Sequence, residues 1–252
     1  LRGNHYGKDL GYKANETLRI LGNNDIKAAG IVGLVSPDIA FGSNCGLRRQ
    51  NAIDYVKREV EFAASVGAGY FIMIPGVVGC PPCDGYEFDR AVETVLLMAD
   101  VFVEHNIKGA IEPACAAEVS ICHTIKEAKH FIEVLNHPGI QHINADTYHM
   151  HIEEDHIGIA LMEAGEKLIN LHMSDTNRRA PGTGELDIDT IIMALYAMDF
   201  NRPGYYVTFE PLCFGTTPYQ AMFGRTDAIL LDELVKRTSH YFRERENAVL
   251  ES

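Results

Sequence analysis

"KLINLHMSDTNRRAPGTGELD", residues 167–187, holds an apolar run that ends on a histidine and breaks into a basic, glycine-rich loop. Leu168 to Leu171 is too apolar to lie on a surface, and the residues after His172 are too polar to be buried without partners. A buried strand that delivers a polar group to its own end satisfies both halves. Runs of the same kind recur at 31–36, 69–75, 107–113, 140–146 and 205–211, each short and bounded by turn-forming residues. Between them lie helical patterns. Ile53, Val56, Val60 and Ala63 form one apolar stripe, and Val92, Leu96, Ala99 and Val103 form another. Residues 14–24, 123–136, 153–165, 187–199 and 226–247 continue the alternation.

Strand ends fall about 26–40 residues apart, the spacing of a βαβ crossover repeat. The strands read as buried on both faces, as a parallel sheet covered by helices requires. No linker, charge block or low-complexity tract divides the chain, so residues 1–252 read as one α/β domain. A closed (β/α)8 barrel has eight strands, and six are visible. The expectation is therefore a TIM barrel whose first strand, first helix and second strand are missing from this chain. The alternative is an open sheet.

Composition narrows the function. The chain is 46% hydrophobic, enough for one large core, and no apolar stretch has the roughly 18–20 residues that span a bilayer. Residue 1 is Leu, with no charged leader or apolar h-region after it, so no signal peptide is expected. The formal charge of −13 disfavours a nucleic-acid partner, whose phosphates are bound by Lys and Arg. Cys45, Cys80, Cys83, Cys115, Cys122 and Cys213 are scattered rather than set in a framework, and read as reduced thiols of a cytoplasmic protein.

Four consecutive strand patterns finish on a metal-ligand type of residue: Glu112, Asp146, His172 and Glu210. Loops at the C-terminal ends of barrel strands build one rim, where such groups would converge. Taken alone, Asp146 reads more readily as a helix N-cap, and the recurrence over four strands is what favours a metal. Three carboxylates and one imidazole suit an oxygen-loving divalent cation such as Mn²⁺, Mg²⁺ or Co²⁺. Zn²⁺ is less favoured without a histidine or cysteine cluster.

"IEP" at 111–113, "DTYHM" at 146–150, "HMSDTNRRAPGTGELD" at 172–187 and "FEP" at 209–211 resemble the xylose isomerase-like TIM-barrel superfamily. Within it they are most similar to ketose 3-epimerases related to D-tagatose 3-epimerase, over residues 30 to 240. The resemblance implies one Mn²⁺-type ion held by Glu112, Asp146, His172 and Glu210. It implies that His149 and Arg178 hold substrate oxygens and that Glu118 orients the substrate-binding histidine. One segment departs from the family, in which Asn-Arg often follows the first Glu. This chain has Pro113, Ala114, Cys115 and Ala116, which alters the expected pocket wall. The implied substrate is a small sugar or sugar phosphate, and the implied assembly is a homo-oligomer.

The implied reaction inverts a carbon next to a ketose carbonyl by proton transfer through an enediolate, with Glu112 and Glu210 as bases on opposite faces. An aldose–ketose or hydroxypyruvate isomerase, or an inosose dehydratase, would use the same residues. An endonuclease IV-like enzyme would need more histidines and a basic groove. A non-catalytic sugar-binding domain is the remaining rival. Elsewhere, "GTGEL" at 182–186 reads as a structural turn before a phosphate loop, "CPPC" at 80–83 as loop structure, and Arg48 and Arg49 as a solvated face. Of the other histidines, His151 lies near enough to Asp146 in sequence to line the rim.

Overall fold

The apolar run of residues 168–171 forms the start of a strand, Leu168–Met173, in which every residue is buried. It belongs to a computed structural model that describes residues 14–33, 36–79, 84–212 and 227–251. The "CPPC" stretch and Cys213 lie outside the described residues. The chain divides into two compact units, Leu1–Asn144 and Ala145–Ser252.

The first unit holds β1 (Gly30–Val32), β2 (Tyr70–Met73), β3 (Lys108–Ile111) and the start of β4 (Ile140–Asp146). They pair in parallel, β1 with β2, β2 with β3 and β3 with β4. Parallel neighbours need crossovers, and helices supply them. These are α2 (Gly46–Ser65), α3 (Glu87–Leu96), α4 (Asp100–Glu104) and α5 (Ile125–Leu135), with α1 (Ala14–Asn23) preceding β1. Thr124 caps α5 by accepting from the Glu127 N–H at 3.2 Å, and Glu127 Oε2 accepts from the His123 N–H at 2.6 Å. This reciprocal pair satisfies two amides that the helix itself cannot.

The stripe Ile53, Val56, Val60 and Ala63 is buried along α2, as its spacing predicts. The second stripe is different. Val92 and Ala99 are buried, but Leu96 is 43% and Val103 54% exposed. Ala91, Val95, Met98 and Phe102 are buried as well, a ridge one position before the expected stripe. The segment is apolar on both ridges, so spacing alone does not choose between them, and its helix stops at Leu96 and restarts at Asp100. Replacing Phe102, fully buried 6.1 Å from the Phe71 ring, with Ala should therefore cost about 3–5 kcal/mol. Val103→Ala should cost no more than about 0.5 kcal/mol. Urea unfolding of the two variants checks the register, and equal losses would contradict it.

The second unit opens on Ala145 and Asp146, the last residues of β4, and continues with α6 (Thr147–Glu153), α7 (Ile157–Ala164), β5 (Leu168–Met173), α8 (Ile188–Ala197), β6 (Tyr206–Phe209) and α9 (Ala228–Glu251). β5 and β6 pair in parallel, with Asn170 opposite Tyr206 and His172 opposite Thr208. Thr208 Oγ1 donates to the buried Asn170 Oδ1 at 2.7 Å, so the pair is fixed by side chains as well as by its ladder. β6 departs from the expectation of strands buried on both faces. Its residues alternate between exposed and half-buried, and among the described residues β5 is its one strand partner.

All six expected strands form, and their starts agree with the sequence pattern to within one residue. α6 was not expected as a helix separate from α7. No helix among the described residues is long and apolar enough to cross a membrane.

Candidate metal centre and active site

β4 ends on Asp146, and the chain turns at once into α6 with Asp146 as its N-cap. Its Oδ1 accepts from the Tyr148 N–H at 2.9 Å, so the bland expectation for this residue, a helix cap, is met by one oxygen. The other oxygen behaves differently. Oδ2 is buried and has no hydrogen-bond donor, although Asp146 is only 1% exposed. A carboxylate oxygen withdrawn from water without a donor is costly, and a cation is the partner that would relieve it.

The groups around Oδ2 come from three further places in the second unit. His149, buried on the first turns of α6, brings Nε2 to 3.5 Å of it. His172, buried near the end of β5, offers a ligand atom within 4.8 Å of one on Asp146. Arg178, in the loop after β5, places Nη2 at 4.0 Å from Asp146 Oδ2 and 3.8 Å from Glu210 Oε2. Glu210 follows β6 directly, and its N–H donates to the Met173 carbonyl at 3.0 Å, which holds it level with the end of β5. From there Oε2 reaches 3.7 Å from His172 Nδ1. Glu210 is more open than its neighbours, with a side chain 38% exposed. Thr147 joins α6 to the same rim: its Oγ1 donates to the Ser174 carbonyl at 2.7 Å and accepts from the Ser174 N–H at 3.1 Å.

Asp146, His149, His172, Arg178 and Glu210 therefore come together in the second unit. The donor set fits a divalent cation: an undonated buried carboxylate oxygen, an imidazole and a second carboxylate.

In the first unit, Glu112 follows β3 and is 3% exposed, with its N–H donating to the Met73 carbonyl at 2.9 Å. The segment that departs from the family pattern forms a tight turn after it. The Glu118 and Val119 N–H groups donate to the Cys115 carbonyl at 2.8 and 3.1 Å, and Val78, Ala114 and Val119 pack together. Cys115 and Glu118 offer ligand atoms within 4.8 Å of each other. Burial and the nearby Glu127 charge push the Cys122 thiol up, so it stays protonated and unreactive.

One residue of the rim was missed by the sequence reading. Asp175, three residues after His172, is fully buried, and its two oxygens accept four backbone N–H groups. Oδ1 takes those of Thr176 (2.8 Å) and Leu186 (3.1 Å), and Oδ2 those of Gly182 (2.7 Å) and Thr183 (3.1 Å). The "GTGEL" amides are thus occupied by the chain's own carboxylate, which makes the stretch a structural turn rather than a phosphate loop. The available signal was an acid placed between the end of an apolar strand and a Gly-x-Gly. His151 is exposed on α6, and Arg49 is not simply solvated, since it donates to the Ser43 carbonyl at 2.6 Å.

Burial pushes the pKa of Asp175 up, but the amides of Leu186, Gly184, Thr176 and Gly182 outweigh it and hold the carboxyl below its ordinary value. A lowered folded value contributes stability that is complete above the unfolded value of about 4 and is lost as pH falls through the lowered one. Asp175→Asn should therefore lose stability less steeply than the parent below about pH 4. Urea titrations across the acid limb read this, and parallel curves would contradict it.

The model of the family described as xylose isomerase-like TIM barrel matches residues 4–222, across both units. The chain belongs to that family. The curated relatives it matches include sugar epimerases. It is 32% identical over 125 residues to D-psicose 3-epimerase of Ruminiclostridium cellulolyticum, a match covering 50% of this chain and 41% of the relative. It is 28% identical over 184 residues to 3-dehydro-D-guloside 4-epimerase of Escherichia coli, covering 69% of this chain and 68% of that one. The match therefore spans about two fifths of the first relative's length and about two thirds of the second's. Among solved structures, an L-ribulose 3-epimerase shares the fold with a TM-score of 0.84 at 16% identity, covering 99% of this chain and 84% of that one.

Proposed function

We propose that the chain is a metal-dependent sugar epimerase that inverts a carbon next to a ketose carbonyl by proton transfer through an enediolate. The observation that carries this reading is Asp146 Oδ2, buried without a donor beside His172 in a member of a family whose matched relatives are epimerases. Glu112, Asp146, His172 and Glu210 would hold one divalent ion. Mn²⁺ suits this oxygen-rich set best, followed by Mg²⁺ and Co²⁺. Such an ion supplies a fixed positive charge against the negative charge that grows on the substrate's oxygens.

The chain's own residues do the rest. Glu112 and Glu210 take and return the proton on opposite faces of the bound sugar. The exposure of the Glu210 side chain supports access to a bound substrate. Arg178 stacks its guanidinium 4.5 Å over the Tyr148 ring, which fixes its direction, and with His149 it hydrogen-bonds the sugar's oxygens. Glu118 orients the histidine. The free thiols of Cys45, Cys115 and Cys122 support a cytoplasmic setting.

A second substrate reading has an observation of its own. The relative matched over two thirds of its length is named for a 3-dehydro-glycoside, not a free ketose. Ala114, Cys115 and Ala116 are small where the family often carries Asn-Arg, which favours a bulkier sugar. Both substrates place a carbonyl beside the carbon to be inverted. Incubating the Mn²⁺-loaded chain with free ketoses, their phosphates and 3-keto-glycosides separates them. The expected result is a C3 or C4 epimer whose formation stops on adding a chelator. Interconversion that survives complete metal removal, or an aldose or dehydrated product, would overturn the reading.

A further inference from the structure

Arg178 stands in an unfavourable backbone conformation, with φ at 55°, a region that non-glycine residues seldom occupy. Something must hold it there. Its N–H donates to the Asp175 carbonyl at 2.7 Å, and the Asp175 N–H donates to the Arg179 carbonyl at 2.9 Å, closing a tight turn around it. Its own carbonyl accepts from the Leu212 N–H at 2.7 Å, which ties it to the segment after Glu210. Around this turn, residues 176–186 wrap one buried carboxylate through the four amides of Thr176, Gly182, Thr183 and Leu186. Hydrogen bonds to an ionised acceptor are about twice as strong as neutral ones, so four of them outweigh one strained residue.

The glycines of the loop answer to the same carboxylate. A Cβ on Gly184 would collide with Asp175 Oδ1 and Thr176 Oγ1, so the chain can pass this close only as glycine. Gly182 has φ at +83°, and a side chain there would strike the Tyr241 ring. Asn177 adds a weaker brace, donating to the Thr183 carbonyl at 2.8 Å and accepting from the Arg179 N–H at 3.0 Å.

We propose that Asp175 is a positioning residue of the active site: its carboxylate folds loop 176–186 into the one arrangement that stacks Arg178 on Tyr148 and aims it at the substrate. This role rests on the functional reading above. The two oxygens of Asp175 are taken up by the loop amides, and its effect passes through Arg178. Asparagine at this position keeps one acceptor oxygen but turns an NH2 group toward two amide donors, so half of the cradle is lost without a change in size.

The test is a double-mutant cycle on the full metal-loaded chain, using Asp175→Asn, Arg178→Ala and the pair, with kcat, KM and Mn²⁺ affinity measured for each. Asp175→Asn should lower kcat/KM by about 10- to 100-fold, since a misaimed binding group forfeits orientation. Mn²⁺ affinity should stay within about threefold, because the hydrogen bonds that the substitution removes go to loop amides and not to Glu112, Asp146, His172 or Glu210. In the Arg178→Ala background the same change should cost less than about threefold, since its route is already gone. Gly184→Ala, which presses on the same carboxylate oxygen, should repeat the pattern and stands in if Asp175→Asn fails to fold. Losses that multiply, or Mn²⁺ affinity that falls in step with kcat/KM, would overturn the role. A parent chain inert toward every keto sugar would instead overturn the functional reading, and this role with it.

Discussion

Glu210→Gln is expected to stop epimerisation, lowering kcat by about 10²- to 10⁴-fold, while leaving isotope exchange in one epimer only. Glutamine keeps an oxygen where Glu210 Oε2 lies near His172 Nδ1 and Arg178 Nη2, so the local arrangement survives. What is lost is the base. In a two-base reaction each carboxylate serves one face, so Glu112 can still remove a proton from one epimer and return one to the same face. That epimer should take up deuterium from solvent without inverting, and its partner should take up none. Glu112→Gln should reverse the pattern. NMR of both epimers in deuterated water distinguishes the cases. Equal loss of exchange in both epimers for either variant would mean that a single base serves both faces.

Asp146→Ser should abolish metal binding while costing the apo chain no more than about 1 kcal/mol. The two oxygens of Asp146 do different work: Oδ1 caps α6 through the Tyr148 N–H, and Oδ2 has no donor. Serine preserves the cap and removes the oxygen left for a cation. In the parent chain, Mn²⁺ at about 100 times its Kd should add about 2.7 kcal/mol of stability, read as a rise in Tm. The variant should show no rise. A full Mn²⁺-dependent rise in Asp146→Ser would place the ion elsewhere. Collapse of the apo variant would mean that Asp146 is chiefly structural.

The strands were legible because each is short, apolar and bounded by turn-forming or polar residues. That pattern located β5 and pointed at His172, and the same rule found Asp146 and Glu210 at neighbouring strand ends. Period and polarity failed where either was ambiguous. Residues 91–103 carry two overlapping apolar ridges between which spacing cannot choose, and the break between α3 and α4 has no proline or glycine to announce it. α6 is seven residues long and starts on a cap that also serves the rim, so periodicity had too little length to register. The exposure of β6 depends on how many strands lie beside it, which a residue pattern does not encode. Asp175 escaped because a buried acid satisfied wholly by backbone amides leaves no partner side chain in the sequence to suggest it.

The position of solvent deuterium tests the central claim most directly. The parent chain, loaded with Mn²⁺ in deuterated water, would be given a panel of ketoses, their phosphates and 3-keto-glycosides and followed by NMR. The account predicts deuterium at the carbon beside the carbonyl, together with the epimer inverted at that carbon, in at least one class. Deuterium confined to C1 or C2 with an aldose product would make the chain an isomerase. No exchange in any sugar, with the ion bound, would contradict the account outright.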